Sequence, residues 1–399
     1  MPTPAAKAAF QLQAGRERSL LRRHPWVFSG AIAAVAGEPE VGATVDVLDS
    51  SGRWLARGAF SPESQIAIRV WTFDPAEQVD QAFFEHRLVQ ALNRRQQIPQ
   101  GADCSAMRLV NGESDGLPGI VVDRYADVLV VQLMSAGAEY WKAAIVAALR
   151  GHFPDCAVYE RSDGAARQLE GLAPSVGLLA GDEPPPLVEA VWAGLRFGVD
   201  LRLGHKTGAY LDQSTALTSL RGLAAGREVL DCFCYNGAFT LAALQGGAQH
   251  VTSIDSSAAA LEGLRRNLEL NGLEQSRCEA RTADVFEALR SFRDSRRSFD
   301  LIILDPPKFA DSQSHVARAS RAYKDINLLA FKLLRPGGLL ATFSCSGAIT
   351  PDLFQKIVAG AALDAGRDAA ILANYSQAPD HPVALSFPEG LYLKGLLCG

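Results

Sequence analysis

Two short segments of this 399-residue sequence carry the side chains best suited to covalent chemistry. LDPPKFA (304–310) ends an apolar run with Asp305 before two prolines, and SCSG (344–347) ends another with Cys345 between two serines. Prolines directly after a strand form a rigid turn that would hold the Asp305 carboxylate at the end of a sheet, where ligands bind. A cysteine at a polar strand end is accessible, unlike a cysteine packed within a strand. We therefore predict that Asp305 and Cys345 share one site, with Cys345 as a candidate nucleophile.

A third segment has the pattern of a nucleoside-binding turn. In VLDCFCYNGAFT (229–240) a strand ends near Asp231 and a glycine-containing turn follows, and Asp255 ends the next strand 24 residues later. An acid in that place suits a ribose diol. The dinucleotide fingerprint G-x-G-x-x-G is absent, which argues against a pyrophosphate site. S-adenosylmethionine, a nucleoside without phosphates, fits better, and an NAD-dependent oxidoreductase is the alternative.

Asp284, in TADVFEAL, allows two interpretations. It follows the expected third strand, where a carboxylate can accept a hydrogen bond from an adenine amino group. It also directly precedes a helical pattern, where an aspartate caps the helix N-terminus.

Alternating strands and helices from about residue 188 must position these groups. The apolar runs Val229–Phe233, His250–Ile254, Phe299–Leu304 and Gly338–Ser344 predict parallel strands, with a helix over 257–270. The fold class is therefore α/β, a Rossmann-like doubly wound sheet. A hairpin, Val45–Leu48 with Trp54–Phe60, lies in a small β-rich domain over 1–75. A central α+β domain follows over 76–185, up to the proline-rich GDEPPPL, and the α/β domain spans 186–399.

Composition restricts the class of protein. Hydrophobic residues make up 48% and charged residues 21%, which excludes a mainly disordered chain. No apolar run reaches membrane-spanning length, and no N-terminal apolar segment suggests a secretory signal. Seven scattered cysteines without a C-x-x-C pair indicate reduced thiols, no metal site and a cytoplasmic protein. The net charge is −5, yet residues 1–30 carry +4, from Lys7 and four arginines against Glu17. That segment is either a phosphate-binding face or a solvated surface.

Together these motifs resemble the class I S-adenosylmethionine-dependent RNA methyltransferases. More narrowly, the chain is similar over its whole length to the RlmI-type large-subunit ribosomal RNA cytosine-C5 methyltransferases. The similarity includes AGRERSLLRRHPWVFSGAI (14–32), GHKTGAYLDQ (204–213), RAYKDINLLAFKLLRPGG (321–338) and DHPVALSFPEGLYLKGLL (380–397). It implies an N-terminal PUA-like RNA-binding domain, 23S ribosomal RNA as the partner and no membrane, and it is compatible with a homodimer.

The resemblance also assigns residues. It implies that the methionine part of the cofactor is surrounded by Asp231, Phe233, Tyr235, Asn236 and Gly237. Asp255 would bind its ribose and Asp284 its adenine, while Tyr210 and Gln213 would close the pocket and Asp305 would border it. Its candidate RNA contacts are Arg22, Arg23, His24 and Trp26, although a tryptophan in a small β domain is more often a core residue. His205 and Lys206 face the cofactor or RNA, with a core histidine as the alternative for His205. Lys308, which follows the two prolines, either contacts phosphate or is solvated.

The chemistry of cytosine methylation explains why a cysteine is wanted. Addition of a thiolate at carbon 6 makes carbon 5 nucleophilic enough to take a methyl group. Cys345 would add to the ring, and Asp305 would hold the Watson–Crick edge of the base. Many RNA cytosine methyltransferases carry a second cysteine where this chain has Lys308-Phe309, so a one-cysteine arrangement is implied. Related chains with a similar DPP turn methylate guanine, which remains an alternative. A non-catalytic RNA-binding or ribosome-assembly protein is another.

Overall fold

The computed structural model describes residues 8–99, 101, 103–310 and 312–399. Lys7, counted above in the basic N-terminal segment, lies outside the described residues. The chain forms two compact units. The first contains the residues up to Ala190 together with Val199–Leu211 and Pro379–Gly390. The second contains Val191–Gly198, Asp212–Ala378 and Leu391–Gly399.

The first unit begins with a six-stranded sheet in the order β2-β6-β5-β4-β1-β3. Its elements are β1 (Ala9–Leu12), α1 (Arg18–Leu21), β2 (Trp26–Phe28), β3 (Ile32–Ala36), β4 (Thr44–Leu48), β5 (Trp54–Phe60) and β6 (Ile66–Thr72). β4 and β5 pair antiparallel, with Val47 opposite Ala56, so the predicted hairpin is present.

A five-stranded sheet in the order β11-β10-β9-β8-β7 follows in the same unit. Its elements are α2 (Gln81–Gln96), β7 (Ala106–Asn111), β8 (Ile120–Tyr125), β9 (Val128–Leu133), α3 (Ala136–Tyr140), α4 (Lys142–His152), β10 (Ala157–Ser162), α5 (Ala165–Gln168) and β11 (Ser175–Ala180). α3 ends at Tyr140 and α4 begins at Lys142, because the backbone of Trp141 leaves helical geometry between them.

A two-stranded sheet of β12 (Leu187–Trp192) and β13 (Leu195–Asp200) begins directly after the proline run. The domain boundaries at residues 75 and 185 stay predictions.

The second unit contains a seven-stranded sheet in the order β16-β15-β14-β17-β18-β20-β19. Its elements are α6 (Ser214–Arg221), β14 (Glu228–Cys232), α7 (Ala238–Gln245), β15 (His250–Asp255), α8 (Ala258–Leu270), β16 (Cys278–Thr282), α9 (Val285–Asp294), β17 (Phe299–Leu304), α10 (Val316–Leu333), β18 (Leu334–Ser344), α11 (Pro351–Asp364), β19 (Ile371–Ser376) and β20 (Lys394–Cys398). Strands β14 to β18 pair in parallel, whereas β20 runs antiparallel to β18 and β19.

The core of the second unit explains why its strands are so apolar. The last four residues of β17, Leu301–Leu304, are all inaccessible to solvent. Because successive side chains point to opposite faces of a sheet, both faces of β17 are covered. α8 begins at Ala258 because the Ser257 hydroxyl accepts a hydrogen bond from the Ala260 N–H at 3.2 Å.

A buried ion pair anchors the GHKTGAY segment within the first unit. Asp123 is inaccessible to solvent, and its two carboxylate oxygens accept hydrogen bonds from Arg108 at 2.8 Å each. The Thr207 hydroxyl donates to the same carboxylate at 2.6 Å. Burial alone would raise the pKa of Asp123, but the Arg108 guanidinium outweighs it and lowers that pKa. The carboxylate therefore stabilises the unit above the ordinary pKa of aspartate.

We predict that Asp123→Ala destabilises the first unit by about 3–5 kcal/mol, because it removes the buried carboxylate that accepts two hydrogen bonds from Arg108 and one from Thr207. Glu183→Ala, which removes an exposed ion pair with Arg202, should cost less than about 1 kcal/mol. Urea unfolding followed by tryptophan fluorescence measures both, since four of the five tryptophans lie in this unit. The Asp123→Ala cost should shrink as the pH falls below the unfolded pKa of aspartate. An equal cost for both variants would contradict this account.

Candidate active site

The sequence-predicted carboxylates and Cys345 gather at one edge of the seven-stranded sheet. β14 pairs in parallel with β15 on one side and with β17 on the other, and β17 pairs in parallel with β18. Asp231 and Asp255 lie within one residue of the carboxyl ends of β14 and β15. Asp305 and Cys345 directly follow β17 and β18. Parallel strands bring these ends to the same edge, so the predicted juxtaposition is present.

The turn after β14 has an unusual backbone. Phe233, Tyr235 and Gly237 have φ of 61°, 48° and 84°, in the left-handed region. A Cβ on Gly237 would also lie 2.1 Å from a side-chain carbon of Leu264. Only glycine fits that position, which explains the spacing of the glycine in the motif.

Asp255 holds this turn in place. Its Oδ2 accepts a hydrogen bond from the Tyr235 N–H at 2.9 Å, and its Oδ1 accepts one from the Ser257 N–H at 2.9 Å. The Cys234 N–H donates to the carbonyl of Ile254 at 3.0 Å. The end of β15 thus supplies acceptors that a left-handed turn lacks within itself.

Asp231 is the buried acid of the site. It is inaccessible to solvent, and its Oδ2 accepts from the Thr240 hydroxyl at 2.7 Å. Its Oδ1 has no hydrogen-bond partner among the residues that the structure describes. Burial raises the pKa of Asp231 to about 7, against the hydrogen bonds from Thr240 and with a small contribution from Asp255. The carboxylate therefore ionises near neutral pH.

Gln213 presents a second buried acceptor. Its Nε2 donates to Oδ2 of Asp305 at 3.0 Å, while its Oε1 is buried without a partner in the described part of the chain. Unpartnered buried acceptors are rare and costly unless a ligand satisfies them. The unpartnered oxygens of Gln213 and Asp231 suit a cationic ligand group that carries N–H donors.

Asp284 caps a helix. Its Oδ1 accepts from the Glu287 N–H at 3.1 Å at the start of α9, and the residue is exposed. The capping role is therefore present, and the adenine contact stays a prediction.

A hydrogen-bonded cluster fixes the segment around Cys345, which is partly exposed. The Tyr323 hydroxyl, from α10, lies 2.9 Å from Oγ of Ser344 and 3.1 Å from Oγ of Ser346. Oγ of Ser346 in turn accepts from the Ala310 N–H at 3.2 Å. One serine therefore links the SCSG segment to the end of the LDPPKFA segment.

Two residues of this region, Tyr323 and Lys394, were not predicted from the sequence. Tyr323 lies within a segment quoted for its family resemblance, without a role. Lys394 is 8% exposed and donates to backbone carbonyls of the turn after Cys345. A lysine within the otherwise apolar segment YLKGLLC was the available signal, because buried lysines are rare without partners.

Cys232 and Cys234 differ from Cys345. Both are buried, and burial raises the pKa of each thiol well above its usual value. Such thiols are inert packing residues. All seven cysteines lie in the described chain as reduced thiols.

The candidate RNA contacts are distributed over both units. Arg22, Arg23 and Lys206 are exposed in the first unit, and Lys308 is exposed in the second. Lys206 lies 4.6 Å from the ring centroid of Tyr210.

Partners within the first unit are present for His24, Trp26, His205 and Tyr210. Tyr210 lies with its hydroxyl 3.2 Å from Nδ1 of His205. Trp26 is partly buried. It donates to Glu113 at 2.9 Å and packs against Phe387, whose ring also lies beside His24. The roles of these residues stay predictions.

In the described ranges no group of three or more His, Cys, Asp or Glu side chains could hold a metal ion. No helix there is long and apolar enough to cross a bilayer.

Comparison with known proteins identifies two domains. The profile of S-adenosylmethionine-dependent methyltransferases matches residues 173–384, and that of PUA-like domains matches residues 10–73. A ribosomal RNA large subunit methyltransferase I from Klebsiella pneumoniae is 52% identical over 387 residues, 97% of this chain and 97% of that protein. The protein of that name from Escherichia coli O139:H28 is also 52% identical, over 97% of this chain and 98% of its own.

Solved structures agree on the fold. A Streptococcus mutans protein classed as a SAM-dependent methyltransferase matches with a TM-score of 0.84 at 22% identity, over 98% of this chain and 99% of its own. A methyltransferase crystallised with SAH matches with a TM-score of 0.85 at 22% identity and the same coverage. The predicted α/β fold class with an N-terminal PUA-like domain and the predicted cofactor class are confirmed.

The raised pKa of Asp231 predicts a pH-dependent cost to stability. The folded state keeps the proton up to about pH 7, whereas the unfolded chain releases it near pH 4, so wild-type stability falls as pH rises between these values. Asp231→Asn lacks this loss. Its free energy of unfolding relative to wild type should increase by about 2–3 kcal/mol from pH 5 to pH 7. Chemical denaturation at the two pH values measures the difference, and a pH-independent difference would contradict a neutral Asp231.

Proposed function

The chain belongs to the ribosomal RNA large subunit methyltransferase I family of S-adenosylmethionine-dependent methyltransferases, and from that premise we propose that it methylates carbon 5 of a cytosine in 23S ribosomal RNA. The observation that supports the cytosine chemistry is the position of Cys345. It is partly exposed at the carboxyl end of β18, next to the strand that carries Asp305. Methylation of a guanine would leave this thiol without a role.

The residues at the sheet edge fit the cofactor. When bound, S-adenosylmethionine supplies an electrophilic methyl group on a sulfonium. Its methionine ammonium group carries the N–H donors that the buried acceptors of Asp231 and Gln213 lack. Phe233, Tyr235, Asn236 and Gly237 would surround the methionine part, and Tyr210 would help to close the pocket. Asp255 would bind the ribose through oxygens that each accept one backbone hydrogen bond and can accept another. Asp284 would contact the adenine.

Cys345 would begin the reaction on the base. A lone pair of the thiolate forms a bond from Sγ to carbon 6, and the electrons of the 5,6 double bond move into the ring. Asp305 would hold the Watson–Crick edge of the base and accept a hydrogen bond from ring nitrogen 3, which takes up a proton from solvent and so neutralises the developing charge. Carbon 5 then takes the methyl group. The proton on carbon 5 then passes to solvent, its bonding electron pair restores the 5,6 double bond, and the Cys345 thiolate leaves. Ring nitrogen 3 returns its added proton to solvent, which gives neutral 5-methylcytosine.

The hydrogen bond from Gln213 orients the carboxyl group for this role. It fixes one oxygen of Asp305 at 3.0 Å from an amide that cannot change protonation state. The base must leave its stack to reach such a pocket, so the substrate should be single-stranded or loosened RNA. Arg22, Arg23, Lys206 and Lys308 would contact RNA phosphates, and the PUA-like domain would supply part of that surface.

We predict that Cys345→Ala lowers the single-turnover rate of methylation by at least about 10³-fold, because the ring is then not activated. Unmodified 23S ribosomal RNA and labelled S-adenosylmethionine are the substrates, and nucleoside analysis identifies the product. Cys398→Ala, which removes a thiol from the last residue of β20, controls for the loss of a thiol.

Each outcome of this experiment is decisive. 5-Methylcytosine from wild type and none from Cys345→Ala, with cofactor binding retained, supports the proposal. Label in a guanine nucleoside, or full activity of Cys345→Ala, would overturn the cytosine mechanism. Release of tritium from cytosine labelled at carbon 5 provides an independent readout, since only reaction at that carbon expels it.

Asp231 should also make cofactor affinity depend on pH. Its carboxylate attracts the ammonium group only when ionised, and its pKa is about 7. The Kd of S-adenosylmethionine should therefore rise about tenfold from pH 7 to pH 5.5 in wild type and less than about twofold in Asp231→Asn. Calorimetry on both proteins measures this. Asp364→Asn, which removes an exposed carboxylate paired with Lys324, should keep the wild-type profile. A wild-type Kd unchanged over this range would exclude Asp231 from the ammonium site.

A further inference from the structure

Lys394 is a buried charge with no assigned role. It lies at the start of β20, is 8% exposed, and is followed by the apolar residues Gly395–Cys398. Its Nζ donates to the carbonyl oxygens of Ser346 at 2.6 Å and Ile349 at 2.7 Å. Burying an ammonium costs several kcal/mol unless it is well paired. The buried Lys394 ammonium therefore lowers the stability of the fold, and a functional role would explain why it is there.

The fold places this ammonium beside Cys345. β18 and β20 pair antiparallel with Ser344 opposite Lys394, so the lysine backbone is aligned with the residue before the cysteine. Its side chain binds the carbonyl of the residue after the cysteine. The electrostatic effect of Cys345 raises the pKa of Lys394, against the larger lowering by burial.

We propose that Lys394 is a positioning residue that fixes the turn over 345–349 and stabilises the thiolate form of Cys345. This proposal rests on the proposed function, since a thiolate matters only if Cys345 is the nucleophile. An ammonium has three donors, and backbone carbonyls occupy two of them. Those two bonds hold the cation in place without neutralising it, because carbonyl oxygens carry no net charge.

The charge state of the pair is suited to neutral pH. Burial lowers the pKa of Lys394 to about 8, and the Cys345 thiolate opposes that shift, so the ammonium form prevails at pH 7. A poorly solvated cation is weakly screened and lowers the pKa of a neighbouring thiol. The thiol proton leaves to solvent, and Lys394 keeps its own proton throughout.

Tyr323 also has an electrostatic interaction with Cys345. Its hydroxyl, from α10, binds the side chains of both flanking serines. Burial raises the pKa of Tyr323, so it is neutral at pH 7. It therefore fixes the same segment without a charge, which makes it the matched control for Lys394.

The test is the rate at which iodoacetamide alkylates Cys345 as a function of pH, followed by mass spectrometry of its peptide. It uses the full chain without RNA or cofactor, so it reads the thiol whether or not cytosine is the substrate. In wild type the pKa of Cys345 should lie below the ordinary value of about 8.5. Lys394→Met should raise that pKa by about one pH unit or more and slow alkylation at pH 7 about tenfold. Lys394→Arg should retain the wild-type pKa, and Tyr323→Phe should change it little.

Three results would overturn the proposal. They are a wild-type Cys345 pKa at or above about 8.5, an unchanged pKa in Lys394→Met, and equal rises in Lys394→Met and Tyr323→Phe, which would attribute the effect to the position of the turn alone. Thermal unfolding checks that each variant folds. If Lys394→Met fails to fold, the pKa of Cys345 in wild type and in Lys394→Arg still tests the proposal.

A low thiol pKa that depends on Lys394, found together with a guanine product, would keep the electrostatic pairing and reject the cytosine function. Failure of the pairing between Lys394 and Cys345 and failure of the cytosine function therefore give different results.

Discussion

The turn between β14 and α7 depends on one carboxylate at the end of the neighbouring strand. Three of its five residues have positive φ, so its N–H groups cannot be satisfied by continuing a helix or a strand. Asp255 accepts from Tyr235 with one oxygen and from Ser257 with the other, which couples the turn to the start of α8. Parallel pairing of Cys232 with Ile254 puts that carboxylate within reach. The geometry of the candidate cofactor turn is thus a consequence of strand register.

The segments that carry Asp305 and Cys345 are held in place in a different way. The sheet determines where β17 and β18 end, but it does not determine how the segments beyond them run. Ser346 joins those segments by accepting from Ala310, and Tyr323 binds the serines on both sides of Cys345. Side chains from α10 and β20 therefore give this part of the site its shape. Asp305 and Cys345 therefore lie on segments held by side chains, and the sheet supports those segments.

This division explains what the sequence could predict. Apolar runs predict β17 and the hairpin of β4 and β5, and helical spacing predicts α8 to within one residue of its start, because burial and local hydrogen bonds decide those features. The sequence pattern does not predict the break in helical geometry at Trp141. The contact between Gln213 and Asp305 joins residues 92 positions apart, which no periodicity encodes. Asp284 shows the limit of motifs, because one carboxylate satisfies both the capping and the ligand pattern.

Asp231 and Lys394 show how burial adapts the site to neutral pH. Desolvation raises the pKa of the acid to about 7 and lowers that of the base to about 8. Each shift reflects a free-energy cost that a surface position would avoid. The acid is charged above its pKa and the base below its own, so both charges coexist chiefly between these two values. A site that attracts a cation with one group and stabilises an anion with the other needs both charges at once. The desolvation that costs stability therefore brings the pKa values of Asp231 and Lys394 close to neutral pH, where the charge of each group responds to its surroundings.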